Sequence, residues 1–467
     1  MHSRVRGGER GEGLQFRRKY LPLPESGLGV RFRLQLCPTL IVQFPCETPL
    51  LQPSHARQKR RHLVIVEPVR ACRLPRWVPA VKLLYVTPYY VPAYPFGGVV
   101  RAVEGLAQAM HARGHEVTVL TTDAYSREAR LDAPAREQIG GVEVVRVRNT
   151  MPWLRRRANL STPRGMARAA RELLAGVDVL HLHEFRTIEA LLTLPEAARQ
   201  NVPVLMSPHG TLALETGRSR LKATWDRWVS PRIARQISGV VALTEPEAED
   251  AARLWERLGL QPPPIQVAPN GVNVGEITPS AAARSEFRRR ASLGNATVCL
   301  FLGRLHARKG VDVLAEAFRA ANVPDSKLVI AGPDEGMRAA LEALHDPRIV
   351  LTGYLDAQER LAALAAADVF ALPATGEGLS VAALEAMAAG PPVILSPGCN
   401  LPEIEPAGAG IEVPPSVEPL AAALALLLGD TELRLKMGEA ARALVEARFT
   451  WPRVAEQMES VYDTLRR

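Results

Sequence analysis

From Val81 onward, short apolar runs alternate with stretches whose apolar positions recur every three to four residues. "VKLLYVTPYY" is an apolar run of strand length. "VPAYPFGG" reads as a loop, and "VVRAVEGLAQAMHARGH" as an amphipathic helix ending at Gly114. "EVTVLTTD" resumes as a strand, so the first three elements predict a parallel strand pair. "VDVLHLHEF", "VPVLMSPHG" and "ISGVVALT" predict further strands running into loops, and "EPEAEDAARLWERLGL" a helix. "QPPPIQVAPNGVNVGEITP" is rich in turn formers and marks a domain boundary. Beyond it the alternation restarts with "TVCLFLGRL", "GVDVLAEAFRAA", "KLVIAGP", "MRAALEAL", "IVLTGYL" and "AQERLAALAAA", and the chain closes with three helices. The pattern predicts an α/β protein of two doubly wound domains facing across a cleft, over residues 81–270 and 271–449.

The stretch "GEGLSVAALEAMAAGPPVILS" at 376–396 carries the most specific signal. Helix formers begin at Val381, Ser380 is placed to cap them, and Gly390 with Pro391 and Pro392 ends them. Glu377 then lies in the loop after a strand, and Glu385 just over a turn into the helix. The stretch contains no Lys or Arg, so neither carboxylate has a local cation. A buried carboxylate needs hydrogen-bond donors, and a hydroxyl-rich ligand such as a ribose or hexose supplies them. The alternative is a Glu385 turned toward solvent.

Composition changes this picture in one place. The net charge of +9 suggests a nucleic-acid partner, yet residues 1–80 hold 15 Lys+Arg against 5 Glu, a net of +10. The remainder carries 43 basic and 44 acidic groups, a net of −1, which argues against nucleic acid. The basic extension lacks a sustained period and reads as a disordered tail or an upstream translated segment, with a start expected near Val81. A targeting or membrane-touching arm is the other reading. Two cysteines in the body, Cys299 and Cys399, fit a reducing cytoplasm.

Candidate chemistry gathers at strand ends. Gly97 and Gly98 precede a helix and let backbone N–H groups approach a phosphate. "GRLHARKG" places Arg304 and Lys309 where a strand meets a helix, a fork donor and a point charge suited to a diphosphate. Lys309 stands out because the chain holds 7 Lys against 51 Arg. "SPHGT" puts His209 at another strand end. His181 and His183 alternate on one strand face, but a metal pair there has no evident third ligand. No D-x-D occurs anywhere, so the common acidic metal clamp for nucleotide diphosphates is absent from the sequence.

In order, "KLLYVTPYYVPAYPFGGVVRAVEGLAQAMHARGHEVTVLT", "SPHGTL", "VAPNGVN", "GRLHARKGVDVL", "LVIAGPDEG" and "EGLSVAALEAMAAGPPV" resemble glycosyltransferase family 4, over residues 81–467. The resemblance implies the GT-B fold, with two Rossmann-like domains and a last helix near Trp451 (450–467) that crosses back to the N-terminal domain. It implies a retaining, metal-independent hexosyltransferase with a nucleoside diphosphate sugar as donor and no cofactor. Glu385 is similar to the family glutamate that holds the donor ribose, and Glu377 to the one facing the donor sugar. Arg304 and Lys309 resemble the pair that neutralises the leaving diphosphate, Gly98 the glycine beside it, and His209 a histidine by the transferred sugar. Gly97, Gly378, Leu379 and Ser380 complete the expected donor contacts. Leu379–Ser380 departs from the usual Phe–Gly, and Asn273 stands where "NG-V-D" is common.

A glycan or lipid-linked acceptor in surface polysaccharide synthesis is the expected partner, for a cytoplasmic enzyme peripheral to the plasma membrane. Residues 151–235 carry 14 Lys+Arg against 7 Asp+Glu, and "WLRRRANL" and "GRSRLKATWDRW" mix them with aromatic and aliphatic residues. Such segments are drawn to anionic headgroups, unless they are an Arg-rich solvated face. A sugar-nucleotide epimerase of the same architecture and a non-catalytic sugar-nucleotide binding module are the rival readings.

Overall fold

The computed structural model describes residues 79–158, 160–212, 219–277 and 280–466. The readings made on the basic extension lie outside the described residues, apart from its last two positions. Among the described residues, nine strands form the first sheet. They are β1 (Lys82–Val86), β2 (Glu116–Thr122), β3 (Arg136–Ile139), β4 (Val142–Asn149), β5 (Pro163–Arg164), β6 (Val179–His183), β7 (Val204–Ser207), β8 (Gly239–Ala242) and β9 (Ile265–Val267). Their order is β3-β4-β2-β1-β6-β7-β8-β9, with β5 joined to β4. Pairing is parallel from β4 to β9, and β3 and β5 run antiparallel to β4.

The second sheet holds β10 (Thr297–Leu302), β11 (Ser326–Ala331), β12 (Ile349–Gly353), β13 (Val369–Leu372), β14 (Val393–Leu395) and β15 (Gly410–Glu412). Its order is β12-β11-β10-β13-β14-β15, parallel throughout. Parallel sheets are covered on both faces, which is why these strands read as continuous apolar runs. One face of the first sheet packs through Tyr85, Val103, Met110 and Tyr462, the other through Leu84, Leu182, Phe185 and Trp255. Ile265–Val267, inside the turn-rich segment read as a boundary, is the last strand of the first sheet and pairs with β8.

The helix Trp451–Arg466 packs on the first sheet. Tyr462 Oη lies 2.7 Å from Tyr85 Oη, and Glu459 accepts from Arg113 at 2.6 and 2.7 Å. Trp451 presses on the helix Gly98–Ala112 at Gly105, where a Cβ would stand 2.1 Å from the indole ring. That contact accounts for a glycine in the middle of a helix.

The structure corrects one part of the membrane reading. Arg155 of "WLRRRANL" is fully buried and donates to the carbonyls of Arg127 at 3.0 Å and Ala129 at 3.1 Å. It holds a loop and does not face headgroups. Trp153, Leu221 and Trp228 are exposed.

Candidate active site

The carboxyl ends of the two sheets meet. Helix Gly98–Ala112 begins there, with Gly97 at φ 106°. A Cβ on Gly98 would lie 3.7 Å from the Val381 side chain, at the start of helix Val381–Ala389. Two helix N-termini from different halves therefore aim at one space, an arrangement that favours an anion. Ser380 caps the second by accepting from the Ala383 amide, and Gly390 ends it in the left-handed region. Both ends fall where the sequence placed them.

The loop between β13 and this helix is pinned. The Glu377 amide donates to the Gly398 carbonyl at 2.7 Å, and Asn400 Nδ2 donates to the Glu377 carbonyl at 2.7 Å. Lys309 Nζ stands 2.7 Å from Glu377 Oε1. Glu385 is buried and forms an ion pair with Arg360, which follows β12 in helix Ala357–Ala366. Both glutamates, which have no local cation in the sequence, are thus paired in the fold. The cations come from elements remote in sequence, which a local reading cannot see.

Arg304 follows β10 and donates through Nη1 to Glu335, at 3.2 Å to Oε1 and 3.0 Å to Oε2. Glu335 also accepts from Arg127 of the first half at 2.7 Å. Each basic residue expected to meet a diphosphate is held in place by a carboxylate. Arg127, Glu335 and Arg360 went unread. Glu335 lies in the motif "GPDEG", whose place after a strand was its available signal.

His209 (φ 55°) and Gly210 (φ 74°) are both left-handed and turn the loop after β7 against the Glu377–Gly378 loop. A Cβ on Gly210 would stand 2.6 Å from the Gly378 nitrogen. Gly210 donates its amide to Glu247, whose carboxyl is pushed up to about 7 by burial. His209 Nε2 lies 3.0 Å from His183 Nδ1, with the rings stacked. Burial lowers His209 to about 4 and His181 to about 3, so these rings are neutral at pH 7. His181 is tied to Tyr462 Oη and Ser207 Oγ, both at 2.8 Å. Among the described residues no group of three His, Cys, Asp or Glu side chains is arranged to hold a metal. A cavity of about 240 Å³ opens between Glu247, Asp250 and Leu212 of one half and Arg308, Glu377 and Asn400 of the other.

The structure therefore brings Gly97, Gly98, His209, Arg304, Lys309, Glu377, Gly378, Leu379, Ser380 and Glu385 to the facing ends of the two sheets. Two doubly wound sheets meeting in this way make the GT-B fold. Residues 96–276 match the family model "Glycosyltransferase Family 4", and residues 296–430 match "Glycosyl transferases group 1". The phosphatidyl-myo-inositol mannosyltransferase of Mycobacterium leprae is 30% identical over 382 residues, covering 79% of this chain and 93% of that protein. The glycogen synthase of Mycobacterium tuberculosis is 28% identical over 414 residues, covering 82% and 94%. The crystal structure of Anabaena HepE in complex with UDP and glucose superposes with a TM-score of 0.65 at 18% identity, over 82% of this chain and 100% of that one. The chain belongs to glycosyltransferase family 4.

Proposed function

We propose that the protein transfers a hexosyl group, with retention of configuration and without a metal ion, from a nucleoside diphosphate sugar to a glycan or lipid-linked acceptor of a surface polysaccharide. The observation that carries this reading is the meeting of two helix N-termini with Arg304 and Lys309 at the facing sheet ends. The two helix N-termini supply positive potential there, and Arg304 and Lys309 supply N–H donors to a departing diphosphate. Because Glu335 and Glu377 already hold the two cations, little reorganisation is needed during bond cleavage, the condition for electrostatic catalysis. Glu385, held by Arg360, accepts from the ribose hydroxyls of the donor. His209 is neutral and can donate or accept beside the transferred sugar. Attack from the leaving-group face keeps the configuration, and the Gly210–Gly378 contact shields the bond from water. The HepE complex with UDP and glucose supports a nucleotide-sugar donor.

No helix among the described residues is long and apolar enough to cross a membrane. The exposed Trp153, Leu221 and Trp228 support a peripheral position at an anionic surface.

The test is calorimetry against a panel of UDP- and GDP-sugars, followed by transfer assays with and without EDTA. The expected result is tight binding of one donor and transfer that survives the chelator. A donor epimerised without acceptor, or bound and never turned over, refutes a transferase. Loss of activity in EDTA that Mg²⁺ or Mn²⁺ restores refutes the metal-free mechanism.

A further inference from the structure

Two arginines share one carboxylate where the two halves of the chain meet. Arg127 Nη2 donates to Glu335 Oε1 at 2.7 Å, and Arg304 Nη1 donates to Oε1 at 3.2 Å and to Oε2 at 3.0 Å. Arg304 and Glu335 belong to the second half, and their backbones are tied together. The Leu305 amide donates to the Pro333 carbonyl at 2.9 Å, and the Glu335 amide to the Leu305 carbonyl at 3.1 Å. Asp334 Oδ1 fixes the turn beyond by accepting from the Gly336, Met337 and Arg338 amides at 2.9, 3.0 and 3.1 Å. Arg127 belongs to the first half, in the loop after β2. That loop closes on itself through the Ala124–Arg130 bridge and the Arg130–Asp123 ion pair. The buried Arg155 holds its tip by donating to the Arg127 and Ala129 carbonyls. Both sides of the contact are therefore anchored before the two halves meet.

We propose that Arg127 is a positioning residue for the leaving diphosphate, acting through Glu335 on Arg304; the inference rests on the glycosyltransferase reading above. Alone, Arg304 and Glu335 carry no net charge between them, and the carboxylate repels a diphosphate. Arg127 offsets that carboxylate, so the three groups together keep one positive charge. Arg304 then meets the diphosphate as a cation and not as half of a neutral pair. The Glu335 side chain is 16% exposed, so little bulk water screens its charge. When the bond from the anomeric carbon to the diphosphate oxygen breaks, its electron pair stays on that oxygen, and Arg304 N–H groups donate to the diphosphate. Arg127 and Glu335 stand 208 residues apart, one in each half. The offset therefore exists only where the halves meet, and the second half by itself holds the donor without it.

The experiment uses the full chain and the variants Arg127→Met, Arg127→Lys, Glu335→Gln and Arg127→Met combined with Glu335→Gln. UDP-glucose, ADP-glucose and GDP-mannose are the donors. Release of nucleoside diphosphate to water at saturating donor gives turnover without an acceptor, and calorimetry with UDP, ADP and GDP gives affinity. Arg127→Met is expected to lower turnover roughly tenfold, while nucleoside diphosphate affinity stays within about threefold. Arg127→Lys should recover part of the loss, because a point charge still offsets the carboxylate. The combined variant separates this role from a structural one. Without the carboxylate there is nothing to offset, so its turnover should rise above that of Arg127→Met alone. A bridge that only held the halves together would show no such recovery. Thermal melts confirm folding, and Arg127→Gln replaces Arg127→Met where the latter fails to fold. Unchanged turnover in Arg127→Met, affinity lost as fully as turnover, or a combined variant no faster than Arg127→Met overturns the inference. Failure of the unmodified protein to bind or turn over any donor is instead failure of the transferase reading itself.

Discussion

Gly210→Ala is expected to slow turnover while leaving donor affinity nearly intact. The added Cβ would stand 2.6 Å from the Gly378 nitrogen and 2.8 Å from its Cα. Ordinary carbon contacts lie at about 3.5–4.0 Å, so the two loops must part by roughly 1 Å. The Glu377–Gly378 side cannot absorb this alone, because Gly398, Asn400 and Lys309 hold it. The His209 side is held by Glu247. A shift of about 1 Å at a reacting centre costs on the order of 100-fold in rate. The left-handed φ of 74° adds about 1–2 kcal/mol of backbone strain. Gly114→Ala controls for the strain, since Gly114 has φ 93° and nothing within 4 Å of its Cβ position. The assay is steady-state turnover with calorimetric donor binding and a thermal melt for each variant. Full turnover in Gly210→Ala would refute the reasoning, because the contact would then be absent from the productive state.

Other expectations follow from the same geometry. Glu385→Gln should weaken donor binding by about 1.5–3 kcal/mol, the range for a hydrogen bond to a charged group, whereas Arg360→Met should weaken it less; equal losses would mean that Arg360 meets the donor itself. His209 sits at about 4 when folded against 6.5 unfolded, so the unfolded chain takes up a proton first as pH falls. Stability from this group is lost between about pH 6.5 and 4, and His209→Gln should flatten that limb in urea melts; an unchanged slope contradicts the buried, neutral ring. Sedimentation with anionic vesicles should fall when Trp153 and Trp228 are both replaced by Ser, and equal binding to neutral vesicles would remove the headgroup argument.

What the sequence revealed was local. Ser380, Gly390 and the prolines after it bound a helix by capping chemistry within a few residues, and the structure reproduces those ends. Unbroken apolar runs betrayed strands buried on both faces. The pairings that complete the site are not local. Glu385 meets Arg360, Glu377 meets Lys309, and Arg304 shares Glu335 with Arg127, across separations that no period encodes. Ile265–Val267 was hidden for a different reason: three residues among prolines show no alternation, and β8 makes them a strand. Arg155 was misread because charge in a sequence suggests solvent, while two carbonyls in a neighbouring loop buried it.

The last helix has a consequence for how the chain is made. Tyr85 and Tyr462 touch across 377 residues, and His181 reaches the same hydroxyl across 281. The first sheet is made well before the helix Trp451–Arg466, and one of its faces waits for that helix. Contacts of such separation form late, and an uncovered apolar face in the interval is prone to association. The second half draws its core from Leu243 to Phe449, which is made just before that helix. One face of the first-made half therefore stays open until the helix Trp451–Arg466 has been made.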